Sequence, residues 1–484
     1  MIGGGISGLA AAHRFAELQA QDTSAKGREA ATEILLLEAS ERTGGTVRTY
    51  RREGFLLEGG PDSFISEKPA ALALAKRIGL AERVVETNEQ NRRSFVVRGN
   101  RLRPTPEGFQ LLAPSRMLPF LTTDIFTLRG KARMALDLLL PRRAEANGQR
   151  DESLAAFVRR RFGREALERM AQPMVGGIYT ADPETLSLRA TMPRFLDMER
   201  EHRSLILAMW KAGRKSEAEK KVQGTASGAR YSLFLSFDEG VQVLTDALAA
   251  RLPQGALRLG TKVESIAFQP EAGRWLLKTR DNEAIGADAV CIALPAYSAA
   301  RLLRDVDAPL ADELDGIPYA STATVNLAYR RADIPHALDG FGFVVPFVER
   351  RATLACTFSS VKFAGRAPAG HALLRAFVGG ALQPEMFELD EARMAEAVRR
   401  DLNDLLGITA APLFAHVEKW PRSMAQYHLG HIERIARLRS RLERFPTLAL
   451  CGNAYDGAGL PDCVRGGESS AERLREALLS PAHK

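Results

Sequence analysis

The sequence predicts a mixed α/β and α+β chain in which a Rossmann-like nucleotide-binding domain is joined to a mixed-sheet domain and a helical domain. Three observations predict this fold class. A turn of the form Gly-x-Gly-x-x-Gly stands at Gly3, Gly5 and Gly8, ahead of small residues at helical spacing. Short runs of β-branched and aromatic residues, separated by turn residues, fill 322–380 as in a sheet. Amphipathic stretches at helical spacing, such as 153–170, dominate 90–226.

The bulk properties of the chain are those of a globular protein of more than one domain. Its 484 residues exceed the roughly 250 to 300 at which a single hydrophobic core stops growing. Apolar residues make up 45% of the chain and charged residues 26%, which excludes a disordered or fibrous protein. The four cysteines form no CxxC or Cys/His cluster, so we predict no metal site and a reducing compartment.

Charge and hydropathy bound the partners and the location. The net charge of +8 favours anionic partners, whether small molecules, lipid headgroups or nucleic acid, and we expect no nucleic-acid partner. No run reaches about 18 apolar residues, and the N-terminus lacks the layout of a signal peptide. We therefore expect a cytoplasmic protein, or one bound peripherally to the inner face of the cell membrane.

The first glycine turn predicts a site for a dinucleotide. Gly3 lets the turn tighten, Gly5 lets the backbone approach a pyrophosphate, and Gly8 lets the following helix pack close to the strand. Glu38 ends the apolar run 34–37, where a second strand places a carboxylate on the ribose hydroxyls; a solvated strand end is the alternative. The interval from Gly8 to Glu38, 38 − 8 = 30 residues, exceeds the usual spacing of about 20. We interpret the polar segment 19–26 as an insertion that accounts for the surplus.

The first strand is short in this sequence. Only Met1 and Ile2 precede the glycines, where several apolar residues should form the central strand of the sheet. We expect the strand to continue upstream of Met1.

Two further glycine-rich segments extend the predicted site. Residues 42–46 read Arg-Thr-Gly-Gly-Thr and residues 59–63 read Gly-Gly-Pro-Asp-Ser. Near the other end, an apolar run at 448–451 is followed by a Gly-rich turn and a predicted helix start at 459–462. Either early segment alone could belong to an ordinary Rossmann domain. Both in this order, after an acid, are similar to the superfamily of FAD-dependent amine oxidases and phytoene desaturases.

This resemblance implies FAD, bound non-covalently, held by three separated stretches of the chain. It implies a FAD-binding domain of 1–89, 227–296 and 436–484, a helical membrane-associating and substrate-channel domain of 90–226, and a substrate-binding domain of 297–435. The residues that it assigns to FAD are Gly3, Gly5, Ile6, Ser7, Gly8, Glu38, Ala39, Arg42, Gly45, Thr46, Gly60, Pro61, Asp62, Ser63, Val263, Ala293, Trp420, Gly452, Asn453, Gly459, Leu460, Pro461 and Asp462.

A narrower resemblance rests on motifs in the middle of the chain. The segments 173–187, 339–346, 353–360, 366–368 and 377–380, with 457–463, are similar to the oxygen-dependent protoporphyrinogen oxidases of bacterial type. The resemblance implies oxidation of protoporphyrinogen IX to protoporphyrin IX by dioxygen, with six electrons removed in three flavin cycles and hydrogen peroxide formed. Coproporphyrinogen III oxidation, another amine oxidase or carotenoid desaturase activity, and a flavin-binding carrier without catalysis are the alternatives.

The same resemblance implies residues for the substrate. Val344, Thr357 and Phe377 would clamp the tetrapyrrole, and Arg93, with Arg92 as the fallback, would bind its propionates. A guanidinium suits a carboxylate because it can donate two parallel hydrogen bonds. Ordinary sheet-core residues and a solvated Arg-rich hairpin are the structural alternatives. Gly176 and Gly177 would offer backbone carbonyls near the reacting meso carbon, as the catalytic residues.

An apolar segment in the helical region suggests a membrane contact. Residues 109–126 are rich in Phe, Leu and Met but too short to span a bilayer, and basic residues from Arg116 to Arg133 flank them. A helical core or a homodimer surface explains the same pattern equally well. The polar stretch 211–230 is predicted to be a mobile surface loop.

Overall fold

The structure is a computed structural model that describes residues 1–26, 32–110, 113–143, 151–222 and 233–480. Its strands are Leu36–Leu37 (β1), Thr49–Arg52 (β2), Phe55–Glu58 (β3), Phe64–Ile65 (β4), Val84–Glu86 (β5), Phe95–Arg98 (β6), Arg101–Pro104 (β7), Phe109–Gln110 (β8), Ala113–Pro114 (β9), Phe234–Phe237 (β10), Leu257–Arg258 (β11), Val263–Gln269 (β12), Arg274–Thr279 (β13), Ala284–Ala287 (β14), Val290–Ile292 (β15), Tyr319–Arg330 (β16), Gly342–Val344 (β17), Ala355–Phe358 (β18), His371–Gly379 (β19), Phe414–Ala425 (β20) and Leu448–Leu450 (β21).

Helices connect these strands and cover them. Their bounds are Ile6–Lys26 (α1), Ala70–Arg77 (α2), Met117–Thr122 (α3), Leu128–Ala135 (α4), Leu154–Arg161 (α5), Arg164–Ala166 (α6), Gln172–Tyr179 (α7), Leu188–Thr191 (α8), Pro193–His202 (α9), Leu205–Val222 (α10), Gln242–Ala249 (α11), Ala296–Leu303 (α12), Ala308–Asp315 (α13), Ser359–Lys362 (α14), Pro384–Glu388 (α15), Glu391–Leu406 (α16), His431–Leu442 (α17) and Leu460–Leu479 (α18).

A parallel arrangement of short strands carries the first glycine turn. β1 pairs with β11 and β15 pairs with β21, both in parallel. Ile2 bridges in parallel to Leu37 on one side and to Ile292 on the other, so residues 1–3 lie at the centre. Helices α1, α11 and α18 pack together beside these strands around one apolar cluster that includes Leu9, Leu244 and Val464. The predicted strand, turn and helix order is confirmed at both ends of the chain.

The largest sheet has seven strands in the order β20, β16, β19, β18, β17, β6, β7. All neighbours are antiparallel except β17 and β6, which run in parallel. Helix α16 covers one face, where Met394, Val398 and Leu402 join the apolar cluster of the strands. The predictions of a sheet over 322–380 and of a helix at 390–406 are confirmed.

The helical region, from α3 to α10, is held by buried polar contacts as well as by apolar packing. Arg161 is fully buried, and its Nε donates to Oδ1 of Asp137 at 2.6 Å. The Asp137 carboxylate also accepts from Ser204 Oγ at 2.6 Å and from the Ile206 amide at 3.1 Å. Because each charge is paired, the cluster can bury a guanidinium without an orphaned ion. Within the described ranges, no helix is both long and apolar enough to cross a membrane.

Two expectations differ from the structure. Strands β6 and β7, expected within the helical domain, belong to the seven-stranded sheet because Phe343 and Val344 pair with Phe95 and Val96. The loop prediction for 211–222 is wrong, since α10 continues to Val222; Lys, Glu and Ala are good helix formers even where no apolar pattern marks them. The remainder, 223–230, lies outside the described residues. The division into three domains stays a prediction.

Candidate functional site

The glycine turn at 3–8 shows which of its glycines pack and which leaves room. A Cβ on Gly8 would lie 1.9 Å from the Gly3 carbonyl oxygen, and one on Gly3, where φ is 102°, would lie 2.7 Å from that of Ala293. A Cβ on Gly5 would meet no atom within 4 Å. The open side of the turn is therefore at Gly5, just before α1 begins at Ile6. Backbone N–H groups and the positive end of the helix dipole favour a phosphate there.

Glu38 lies at the carboxyl end of β1, beside the same turn. Its Oε2 accepts from the Gly4 amide at 2.6 Å, and its Oε1 accepts from the amide and hydroxyl of Ser40 at 2.9 and 2.7 Å. Ala39, between Glu38 and Ser40 in the sequence, is exposed. The role of this carboxylate in binding a ribose stays a prediction.

Residues 42–46 lie across the first turn. Gly44 donates to the Gly4 carbonyl at 2.8 Å, and a Cβ on Gly45 would lie 3.2 Å from the Gly5 Cα. Arg42 donates to the carbonyls of Thr43 at 2.9 Å and Gly45 at 2.5 Å. The guanidinium therefore braces its own loop in this structure.

The Gly59–Gly60 turn is held from the seven-stranded sheet. The Gly59 carbonyl accepts from Trp420 Nε1 at 2.8 Å and from Thr324 Oγ1 at 2.9 Å. The Gly60 carbonyl accepts from the guanidinium of Arg375. A Cβ on Gly60 would lie 1.7 Å from the Thr46 carbonyl oxygen, so this turn and the 42–46 loop fit only with glycine. The turn thus joins the end of β3 to the seven-stranded sheet.

Charged side chains lie around this turn: Glu58 and Arg375 are buried, Asp62 and Lys362 are partly buried, and the charge of the buried Arg366 acts on Glu58. Asp62, which follows Pro61, accepts from Lys362 Nζ at 3.0 and 3.2 Å, and Ser63 Oγ contacts the same ammonium at 3.0 Å. Burial alone would raise the pKa of Asp62, but the charges of Lys362 and Arg375 hold it well below its usual range. Burial raises the pKa of Glu58 to about 7 despite hydrogen bonds from Thr49 and Val241.

The C-terminal turn completes the set of loops at this edge. Asn453 Nδ2 donates to the Ser423 carbonyl at 2.8 Å, and its own carbonyl accepts from the Tyr427 hydroxyl at 2.6 Å. Gly459 caps α18, whose first turn holds Leu460, Pro461 and the buried Asp462. Lys68 pairs with Asp462 at 2.5 Å. A Cβ on Gly452 would meet nothing nearer than 3.8 Å, so this turn also has an open side.

Three further predicted residues have defined positions: Ala293 and Val263 from the middle of the chain, and Ser7 from its first helix. Ala293 follows β15 and donates its amide to the Ile2 carbonyl at 2.8 Å, with its side chain against Gly8. Ser7 lies in the first turn of α1, where its carbonyl is 2.3 Å from the position of a Cβ on Gly467 of α18. Val263 is buried at the start of β12.

The predicted clamp residues share one face of the seven-stranded sheet. Val344 pairs with Ala355, Ala355 with Phe377, and Phe377 with Thr324, which gives one row across four strands. Thr357 lies in the adjacent row, opposite Arg375. Because alternate residues of a strand face the same side, Val344, Thr357 and Phe377 lie on the same face as Arg375 and Trp420. We call this the polar face.

Helix α7 lies against the end of this face. A Cβ on Gly177 would be 3.9 Å from Val344 Cγ1, and Gln172 Oε1 accepts from the Phe347 amide at 2.9 Å. The turn just before α7, Leu167–Ala171, is π-helical, a distortion that often marks functional sites. The Gly176 carbonyl accepts from the Thr180 amide at 3.0 Å as part of the helix.

The structure does not bring Arg93 to the polar face. Its Nε donates to the Asp339 carbonyl at 2.6 Å, its Nη2 pairs with the Asp339 carboxylate, and its guanidinium lies 5.7 Å from the Phe95 ring centroid. Phe95 belongs to the apolar cluster on the opposite face, with Phe343. Arg92 pairs with Glu89.

Sequence reasoning missed Arg375, Lys362, Glu58, Thr324 and Asn326. Thr324 and Asn326 donate to the carbonyls of Gly59 and Glu58 at 2.9 and 3.2 Å. The sequence did contain a signal for Arg375, because a charged residue is unexpected within the apolar run 372–378. No comparable local signal marks the other four, because their partners lie far away in sequence.

Comparisons with known proteins show the family to which this chain belongs. The family model for flavin containing amine oxidoreductases matches residues 6–475. The chain is 34% identical to the coproporphyrinogen III oxidase of Bacillus subtilis (strain 168), covering 99% of this chain and 98% of the relative. It is 36% identical to that of Propionibacterium freudenreichii subsp. freudenreichii, covering 99% and 91%. It is 31% identical to the chloroplastic protoporphyrinogen oxidase of Oryza sativa subsp. japonica, covering 100% and 89%.

Solved structures give the same result. A protein from Exiguobacterium sp. 255-15, provisionally named a protoporphyrinogen oxidase, superposes with a TM-score of 0.83 at 32% identity, covering 98% of both chains. Cyclohexylamine oxidase from Brevibacterium oxydans IH-35A superposes with a TM-score of 0.69 at 16% identity, covering 99% of this chain and 98% of the other, which shows the fold alone.

The chain therefore belongs to the flavin-containing amine oxidoreductases and binds FAD. Within them it is a flavin oxidase of the porphyrinogen oxidase family, whose members act in haem biosynthesis. The open sides of the turns at Gly5 and Gly452 fit this cofactor, because they leave space next to backbone donors and a helix N-terminus. The predicted family and cofactor are confirmed.

Proposed function

We propose that this chain oxidises coproporphyrinogen III to coproporphyrin III, with dioxygen as the electron acceptor and hydrogen peroxide as the second product. The observation that carries the proposal is that relatives with this name match at 34% and 36% identity over 99% of the chain. Protoporphyrinogen IX, which the sequence motifs favour, is the second candidate, supported by the relative from Oryza sativa. Both substrates are porphyrinogens that carry propionates.

In this proposal the chain holds and orients the macrocycle. When bound, FAD accepts electrons two at a time, so removal of six electrons takes three rounds. The flat row of Val344, Ala355 and Phe377 would support one side of the tetrapyrrole. Gly176 and Gly177, without side chains, would leave room for a broad ring beside Val344, and their helix would exclude water from the reacting carbon. The loops at Gly5, Gly60 and Gly452 would hold the cofactor beside it.

The propionates require a cation at the edge of this slot. We keep Arg93 as the proposed partner, and the geometry adds a condition. Its guanidinium is paired with Asp339, so a propionate must replace that carboxylate or share the guanidinium with it. A half-exposed arginine can change partners at small cost, because water screens the existing pair.

The experiment is anaerobic bleaching of the bound flavin by each porphyrinogen, followed by admission of air. We expect coproporphyrinogen III to bleach the flavin with the larger ratio of limiting rate to dissociation constant, and peroxide to form as the colour returns. An amine that bleaches the flavin while neither porphyrinogen does so would contradict the proposal. Faster bleaching by protoporphyrinogen IX would favour the second candidate, oxidation of protoporphyrinogen IX.

A peripheral membrane contact remains a proposal for the surface formed by α3 and α4. Leu118, Leu121 and Leu128 are 73%, 58% and 82% exposed there, and Arg129 is exposed beside them. Exposed leucines next to a cation fit an anionic lipid surface. Co-sedimentation with anionic but not with neutral vesicles is the expected result; no binding to either, with a concentration-dependent change in mass, would favour a homodimer surface instead.

A further inference from the structure

Arg375 occupies an unusual position for a charged side chain. It stands near the middle of β19, a central strand of the seven-stranded sheet, and is 3% exposed. A charge buried so deeply is costly unless it is paired and hydrogen-bonded. Its neighbours in β19, Leu374 and Ala376, face the apolar cluster, as a buried strand normally requires. The fold therefore retains a guanidinium where an apolar side chain would pack without that cost.

The contacts of this guanidinium reach two parts of the site at once. On one side it donates to the Gly60 carbonyl, and its Nη1 lies 3.8 Å from the Asp62 carboxylate. On the other side its Cζ lies 4.6 Å from the ring centroid of Phe377, two residues along the same strand. Thr357 is its direct neighbour across the strand pair. Arg375 thus touches the turn assigned to the cofactor and the ring assigned to the substrate.

Arg366 provides a matched comparison among the same charged side chains. It is 2% exposed, and its guanidinium donates to Ser236 Oγ at 2.9 Å and to the carbonyls of Phe237 and Asp238 at 2.8 and 3.1 Å. These groups belong to β10 and the turn that follows it. Within the described residues, Arg366 makes no hydrogen bond or ion pair with Gly60 or Asp62 and no ring contact with Phe377, and it acts on Asp62 through its charge. Arg366 is therefore as buried as Arg375, but it does not lie between the Gly60 turn and Phe377.

We propose that Arg375 is a positioning residue that fixes the Gly60 turn relative to Phe377, and so sets the geometry between flavin and porphyrinogen. This inference rests on the proposed function. A planar guanidinium can bond the turn with one nitrogen, face the Asp62 carboxylate with another and stack on a ring with its flat surface, which lysine cannot do. Arg375 should therefore affect the orientation of the reacting groups, because a displacement of about 1 Å in a reacting pair can slow a step by roughly a hundredfold.

The test compares Arg375→Met, Arg375→Lys and Arg366→Met by anaerobic stopped-flow with coproporphyrinogen III and with protoporphyrinogen IX. In both Arg375 variants we expect the limiting rate of flavin reduction to fall by about tenfold or more, while the dissociation constant changes by less than about threefold. Arg366→Met should keep the limiting rate within about twofold even if it melts earlier. Equal rates for wild type and both Arg375 variants would overturn the inference.

A second measurement does not depend on turnover. We expect the visible absorption bands of bound FAD to shift in the Arg375 variants and to stay unchanged in Arg366→Met, because Arg375 donates to the Gly60 carbonyl and Arg366 bonds to other groups. If Arg375→Met does not fold, Arg375→Lys still carries the buried charge and reports on the hydrogen bond. An unshifted spectrum in a folded Arg375 variant would count against the inference, whatever the rates are.

A double-mutant cycle with Phe377→Leu completes the design. If Arg375 acts through Phe377, the combined loss of rate in Arg375→Lys/Phe377→Leu should be smaller than the product of the single losses. If the loss of rate in the double variant equals the product of the two single losses, the coupling between Arg375 and Phe377 is overturned. If neither porphyrinogen bleaches the wild-type flavin, the proposed function fails by itself, and the flavin spectra still decide whether Arg375 sets the Gly60 turn.

Discussion

The two faces of the seven-stranded sheet are built from alternate residues of the same strands and have opposite chemistry. On the apolar face, Phe343, Phe358 and Leu374 pack against α16. On the polar face, Thr324, Asn326, Arg375 and Trp420 bond to residues 58–60, between aromatic and aliphatic side chains. One face packs apolar side chains against a helix, and the other donates hydrogen bonds to backbone carbonyls of a glycine turn.

The difference separates stability from function within one sheet. Burying apolar side chains stabilises the fold without directional requirements. Buried donors such as those of Thr324 and Arg375 contribute little net stability and are costly when unpaired, so their presence indicates a task other than packing. The apolar face should therefore tolerate substitutions that preserve side-chain volume. Substitutions on the polar face should disturb the arrangement of the site before they lower the free energy of unfolding.

The largest expected effect is on the apolar face. Phe358→Ala should lower the free energy of unfolding by about 3 to 5 kcal/mol, because it removes a fully buried ring and leaves a cavity. For the fraction that remains folded, the rate of flavin reduction per bound FAD should equal that of the wild type. Chemical denaturation and rapid kinetics measure the two quantities. A slowed reduction in folded Phe358→Ala would break the separation of the two faces.

Arg93 tests the comparison from the other side, because its guanidinium lies toward the apolar face. If it binds a propionate, Arg93→Ala should weaken porphyrinogen binding by roughly ten- to a hundredfold, the equivalent of about 1.5 to 3 kcal/mol for a charge-assisted hydrogen bond. FAD content should stay normal. Arg92→Ala is the control, because Arg92 pairs with Glu89 in the adjacent turn. An unchanged Michaelis constant in Arg93→Ala would assign the propionates to another cation.

Glu58 links the polar face to pH. Its pKa is raised to about 7 by burial, against Arg366, Arg375 and the donors of Thr49 and Val241 that face it. Between its ordinary value and 7 the folded chain holds a proton that the unfolded chain releases. The contribution of Glu58 to the free energy of unfolding is therefore complete below the ordinary pKa of a glutamate. It is lost as the pH rises through the folded-state pKa of about 7.

Glu58→Gln should remove this dependence. The free energy of unfolding of the wild type should fall with rising pH by up to about 1.4 kcal/mol per pH unit more steeply than that of the variant in this window. Denaturation curves at several pH values between 5 and 8 measure the slopes. Parallel slopes in the two proteins would show that Glu58 is ionised in the fold at neutral pH.

The smallest effect is expected from single bonds to the Gly59 carbonyl. Trp420→Phe and Thr324→Val each remove one donor at that oxygen and should cost about 1 kcal/mol of stability. Removing both should cost more than the sum, because the buried carbonyl then has neither side-chain donor. Thermal unfolding of the two single variants and the double variant measures this coupling. Simple additivity would mean that water replaces the lost donors.

Local motifs explain which parts of the fold and site could be predicted. The turns at Gly3, Gly45 and Gly452 can be predicted locally because these residues have positive φ angles of 102°, 59° and 142°, a backbone conformation that favours glycine. Helix α16 and the strands of 322–380 follow from periodicity alone. The cofactor and the family followed from the order of these motifs.

The remainder depends on contacts between distant residues. Arg375 meets Gly60 across 315 positions of the chain, so no window of sequence contains both partners. The side on which Arg93 lies depends on where β6 begins, and a shift of one residue reverses it. Thr357 was predicted as a clamp residue, and its role stays a prediction, although the register places it beside Arg375.

The arrangement of the nucleotide-binding strands has a consequence for synthesis on the ribosome. Residues 1–3 pair with the strand that ends at Ile292, and that strand pairs with β21, at 448–450. Helix α1 finds its partner in α18, at 460–479. Because these contacts span nearly the whole chain, the first helix leaves the ribosome long before its partner exists, and its apolar side must be shielded meanwhile. FAD capture should therefore be a late event that follows release of the C-terminal helix.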